Sequence, residues 1–89
     1  MGVWKVFLNK RKWDHDPVQR RLAELIIEGA QGPMGSVVIR TFVLDQNWSA
    51  SEETDRLAHA VTLVRAQRPD LYHEAAQIAG EFIAWSSAD

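Results

Sequence analysis

The chain has 89 residues, 46% of them hydrophobic, with ten basic and twelve acidic side chains, a net charge of −2 at pH 7 and no cysteine. This is the composition of one globular domain with one modest core, and it excludes intrinsic disorder, a disulfide framework and any thiolate metal site. No apolar run reaches the roughly 20 residues that span a bilayer, and Met1-Gly2-Val3-Trp4-Lys5 opens neither a secretory nor a myristoylation signal, so a soluble cytoplasmic protein with no membrane contact is expected.

Residues 3–8 read as a short strand, with Trp4, Val6 and Leu8 on one face and Val3, Lys5 and Phe7 on the other. Asn9-Lys10-Arg11-Lys12 breaks the alternation and reads as a solvated connection. A helix start follows: Asp16 stands where an N-cap belongs, Pro17 suits the first helical position, and Gln19 has the spacing of a capping box. Val18, Leu22, Leu25, Ile26 and Gly29 then recur at helical spacing, and Gln31-Gly32-Pro33-Met34-Gly35 ends the helix.

Residues 36–44, Ser-Val-Val-Ile-Arg-Thr-Phe-Val-Leu, are the densest β-branched and aromatic run in the chain and read as a buried strand. Strand, helix and strand make a right-handed β-α-β unit with a two-stranded sheet. Two strands cannot shield a segment that is apolar on both faces, so helices or a second subunit extending the sheet would have to cover it. After the loop Asp45-Gln46-Asn47-Trp48, Ser49 and Glu52 have capping-box spacing for a helix to about Gln67, with Leu57, Ala60, Val61 and Val64 as its stripe. Arg68-Pro69-Asp70 turns the chain, Asp70 caps a last helix, and Leu71, Ala75, Ile78, Ala79, Phe82 and Trp85 form its stripe, completing an antiparallel αα-hairpin. The fold class is thus α+β, in the order β-α-β-α-α.

Chemistry-bearing residues are sparse. Asp14-His15-Asp16 resembles a ligand or base cluster, but adjacent side chains diverge and Asp16 is committed to capping. His59, His73 and Glu74 lie on the two helices of the hairpin and could meet across it, yet first-turn and stripe-edge histidines are commonly structural. Ser36, Ser49 and Ser51 lie in no nucleophile elbow, and Gly29, Gly32 and Gly35 follow a helix where a phosphate cradle opens one. Ala76 and Gly80 have helix-turn-helix spacing with no recognition helix after them. No catalytic residue, metal site or cofactor is assigned.

Two surface signals remain. Lys5, Lys10, Arg11, Lys12, Arg20 and Arg21 outnumber Asp14 and Asp16 up to residue 21, whereas Arg40, Arg56, Arg65 and Arg68 are outnumbered by acids after it. A basic edge with Phe7 and Trp13 beside it suits nucleic acid, with Lys10, Arg11, Lys12, Arg20 and Arg21 as contacts. Four tryptophans point instead to protein contact: Trp13 and Trp48 sit in connections where full burial is difficult, and Arg40 interrupts an apolar run, while Trp4 and Trp85 read as core or staple positions. The leading expectation is a small non-enzymatic protein-binding module (an inhibitor, adaptor or regulatory subunit) using Trp13, Trp48 and Arg40, or a homodimer completing a larger sheet. Phage inhibitors of host systems share this size and lack of motifs, a comparison of composition alone. Nucleic-acid binding is the alternative, and a small metal-dependent enzyme built on Asp14, His15, His59 or His73 is the third.

Overall fold

The structure, a computed structural model, describes residues 13–87. Among these residues four complete α-helices follow one another: α1 (Pro17–Gln31), α2 (Val37–Gln46), α3 (Ala50–Gln67) and α4 (Tyr72–Ser86), with a 3-10 turn at Pro69–Leu71 before the last. There is no strand among the described residues, so the α+β expectation is overturned in favour of a small all-α fold. The expected first strand, residues 3–8, lies outside the described residues.

The correction centres on residues 36–44. Their β-branched side chains favour strands, but propensity is weak beside the burial a helix achieves here. As a helix, α2 sends Ile39 and Val43 fully into the core and tucks Val38 and Phe42 half-way beneath, four residues apart in each case. A strand would have needed cover on both faces; the helix needs it on one. Ser36 does not cap α2 with its side chain. The Val37, Val38 and Ile39 N–H groups instead donate to the carbonyls of Met34, Gly35 and Ser36, a tight 3-10-like entry. Asn47, left-handed at φ 59°, closes the helix.

α1 begins as its sequence implies, with Pro17 in the first turn and Asp16 Oδ1 accepting from the Val18 N–H at 2.8 Å. It packs against every other helix. Gln19 meets Arg56 at one end, and at the other Gln31, its amide oxygen turned toward Arg68, accepts from that guanidinium at 3.1 and 3.3 Å. α1 and α3 therefore run parallel, and α2 carries the chain back between their ends. α4 returns antiparallel to α3, as Ser86 beside Glu53 and Arg65 over the Tyr72 ring show. The αα-hairpin is thus as its spacing implies, except at the turn: Asp70 does not cap α4 but takes the Arg68 Nε and Nη2 donors at 3.2 and 3.0 Å. Those bonds hold the Asp70 carboxyl below its ordinary value. Leu22, Ile26, Ile39, Leu57, Val64, Ile78 and Phe82 lead one contiguous core.

Gly29 decides how closely α1 approaches the α1–α2 turn. A Cβ there would stand 2.5 Å from the Gly35 carbonyl oxygen and 3.2 Å from Ile78 Cδ1, and Gly35 itself needs φ +56°. Gly29→Ala gains helix propensity but forces the turn and α4 outward. The variant is expected to lose about 1–2 kcal/mol net, a fall in Tm of roughly 4–15 °C by thermal unfolding.

Candidate interaction surface

Trp13, placed with Trp48 by the sequence among partner contacts, has a different setting. The two tryptophans stand on opposite elements and enclose Arg56 of α3, whose guanidinium carbon lies 4.8 Å from the Trp13 ring centre and 4.7 Å from that of Trp48. In the same plane Arg56 Nη1 donates to Asp16 Oδ2 at 3.3 Å and Gln19 Oε1 at 3.2 Å, and Nε donates to Glu52 Oε2 at 3.0 Å. The Gln19 carboxamide, 0% exposed, answers by donating to the Arg56 carbonyl at 2.6 Å. Gln19 is therefore not the far half of a capping box but the buried polar link between α1 and α3. One guanidinium thus joins the segment before α1, α1 itself, the α2–α3 connection and α3.

Beside it, Trp13 meets the edge of His59 with ring centres 5.6 Å apart, and His59 Nε2 is 2.6 Å from Asp14 Oδ1. Asp14 and His59 thus tie the same segment to α3, while His15 and His73 are exposed elsewhere and His59 does not meet His73. Among the described residues no three His, Asp or Glu side chains are grouped to hold a metal ion. The Asp14–His15–Asp16 run is therefore split: one side chain on His59, one in solvent, one on the α1 N-terminus and Arg56.

Arg40 is a different arginine. Its guanidinium lies 4.3 Å from the ring centre of Trp85 near the end of α4, and its buried Nε has no acceptor among the described residues. Trp85, read from the sequence as a core or staple position, is 41% exposed and packs one side against Phe82. One helical turn on from Arg40, Leu44 is 54% exposed, and one turn back Val37 is 43% exposed. Val37, Arg40, Thr41 and Leu44 form the outward stripe of α2, facing away from Ile39 and Val43. Leu44 and Trp48 line a cleft of ≈ 290 Å³ with Ile83 and Ser86 of α4 and Glu53 of α3. Arg40 and Trp48 therefore border one face, but Trp13 is on the far side of Arg56. Val37 and Leu44 were missed in the sequence because a strand reading scatters the stripe over both faces, and Trp85 because it read as a core or staple position; nothing in the sequence marked Arg56.

Of the proposed nucleic-acid contacts, Lys10, Arg11 and Lys12 lie outside the described residues. Arg20 and Arg21 are exposed on the first turn of α1, and Arg21 pairs with Glu24 at 3.2 Å. A second groove, lined by Ala58, Val61, Thr62, Ala76, Ala79 and Gly80, runs between α3 and α4.

Burial alone would raise the Asp16 carboxyl, but the Val18 N–H, the Arg56 guanidinium and the Gln19 N–H outweigh it and hold Asp16 below the ordinary carboxylate value. A carboxylate lowered on folding stabilises the fold above its unfolded pKa, and that stability is lost as pH falls through the folded one. Unfolding at a series of pH values is expected to show wild-type stability falling below about pH 4, with a shallower fall in Asp16→Asn, which is already weaker at pH 7. Arg56→Ala, which strips the partner from buried Gln19 and both indoles, is expected to cost about 2–3 kcal/mol, and Arg56→Lys roughly half that, read by denaturant unfolding.

Compared with family models, with curated proteins and with solved structures, the chain matches none, so its functional reading rests on this geometry.

Proposed function

We propose that the chain is a protein-binding module that acts by contact and not by catalysis, and that it meets its partner through the outward stripe of α2 and the end of α4. The observation that carries this reading is the exposure of two large apolar side chains, Leu44 of α2 and Trp85 of α4, with Leu44 and Trp48 lining a cleft against the end of α4. Tryptophan and arginine anchors surrounded by aliphatic side chains supply most of the energy in protein interfaces, and Trp85, Arg40 and Leu44 are such a set. Trp13 and Trp48 support that surface from behind by fixing α3 through Arg56. An inhibitor, adaptor or regulatory subunit of this size works by covering or bridging surfaces, for which one rigid face is sufficient. Dimerisation through a completed sheet has lost its basis, because residues 37–44 are helical. No helix of the described residues is long and apolar enough to cross a membrane.

The test is affinity capture from host lysate with and without nuclease, using wild type, Leu44→Asp, Trp85→Ala and Arg20→Glu/Arg21→Glu, each first shown to be helical by circular dichroism. One protein captured stoichiometrically is expected to be lost with Leu44→Asp and weakened about 30-fold with Trp85→Ala, yet retained by the double arginine variant. Capture indifferent to Leu44 and Trp85 would sink the reading. Retention that disappears with nuclease and with Arg20→Glu/Arg21→Glu would move the functional surface to the basic edge.

A further inference from the structure

The partner of this surface can be described by its chemistry. We propose that the α2 stripe receives an amphipathic helical segment of another protein carrying a carboxylate with aliphatic or aromatic side chains one turn to either side, the carboxylate pairing with Arg40. The proposal rests on the binding-module reading and says what that module recognises.

The charge pattern of the stripe is the ground for it. Val37 and Leu44 are its exposed apolar ends, seven residues or about 10 Å apart along the helix axis, and Arg40 lies between them. Arg56, the other half-buried arginine stacked on tryptophan, has two carboxylates and a carboxamide around it. Arg40 has an indole and, among the described residues, no carboxylate. The Trp85 ring holds the guanidinium from one side, and among the described residues no anion meets the rest of its fork. A planar cation fixed in this way is preorganised for a carboxylate, because little side-chain freedom is left to lose on pairing. Apolar neighbours at Leu44, Val37 and Trp85 would exclude water from the pair and strengthen it. The spacing matches a helix: side chains three or four residues apart on a partner helix present one acid between two apolar groups at the separation of Val37, Arg40 and Leu44.

A second copy of this chain fits less well. A two-fold axis through the centre of the stripe would set the two Arg40 guanidinia against each other with no anion between them. The α3–α4 groove has no charged group aimed into it and specifies no occupant.

The experiment is selection of a phage-displayed library of random peptides, long enough for four helical turns, on the immobilised wild-type protein. The strongest peptide is then synthesised and titrated against wild type, Arg40→Glu, Arg40→Gln and Leu44→Asp. Enriched sequences are expected to carry Asp or Glu with apolar residues three or four positions away on both sides. Affinity is expected to fall at least about tenfold with Arg40→Gln and further with Arg40→Glu, and to recover toward wild type when the peptide's acid is changed to Lys against Arg40→Glu. Because Arg40→Glu could also disturb the Trp85 contact, that charge-swap rescue separates pairing from misfolding. No enrichment, enrichment without an acid, or affinity unmoved by both Arg40 variants overturns the proposal. Peptides that need Leu44 but ignore Arg40 overturn the carboxylate and leave the binding module standing, whereas peptides indifferent to Leu44 overturn both. A dimer by light scattering that Leu44→Asp dissociates would assign the face to a second copy instead.

Discussion

Arg56 is the constraint on which the rest of the structure depends. A guanidinium with 12% of its side chain exposed has given up most of its hydration, and removing an ion from water costs several kcal/mol unless good partners replace the solvent. Here they come from five side chains: the indoles of Trp13 and Trp48, the carboxylates of Asp16 and Glu52, and Gln19, bonded both to the guanidinium and to the Arg56 backbone. Each partner belongs to a different part of the chain or a different turn of a helix. Satisfying the one charge therefore fixes where α1 starts, how it lies along α3, and where the α2–α3 connection crosses. A hydrophobic core alone would tolerate small slides of α1 along α3; a hydrogen-bonded carboxamide with no exposed surface does not.

That placement makes α1 the axis of the fold, in contact with each of the other three helices. Its parallel register with α3 is held at both ends by polar contacts, Gln19 to Arg56 and Gln31 to Arg68, twelve residues apart on each helix. Gly29 allows the α1–α2 turn to press directly on the helix backbone, so α2 begins close to α1 and its ten residues suffice to carry the chain back to the start of α3. The short return has a consequence for the surface. Among the described residues α2 packs chiefly on α1, and Val37 and Leu44 of its outward stripe are left exposed.

Much of this was legible from local rules, and the failures have one physical source. Caps and breakers are local: Asp16 with Pro17, Ser49 with Glu52, and Pro69 mark helix starts and ends correctly because the groups concerned lie within one turn of each other. The stripes of α3 and α4 were legible for the same reason, down to Ala60, Val64, Ala75 and Phe82. Residues 36–44 were not, since five of nine are β-branched and apolar residues fall at both two-residue and four-residue spacing. Only the surface available for burial decides between those periods, and that surface belongs to α1. The same long range hid the site: Trp13 and Trp48 were expected as partner contacts, whereas both stack on Arg56, and Asp70 was drawn to Arg68 instead of the helix end it was expected to cap.

Two arginines stack on tryptophan in this molecule, and their surroundings differ. Both stack a guanidinium on an indole at a similar distance, 4.7 to 4.8 Å for Arg56 and 4.3 Å for Arg40, so the cation–π attraction does not distinguish them. What differs is completion. Arg56 is closed off by the chain's own carboxylates and a buried amide, and any partner would have to break those bonds to reach it. Arg40 is held on one side, with its Nε lacking an acceptor among the described residues and Leu44 open one turn away. A half-buried cation with no anion among the described residues is a destabilising feature, in contrast to the fully partnered Arg56. Its position at the centre of an exposed apolar stripe is where an incoming carboxylate would turn that deficit into binding energy.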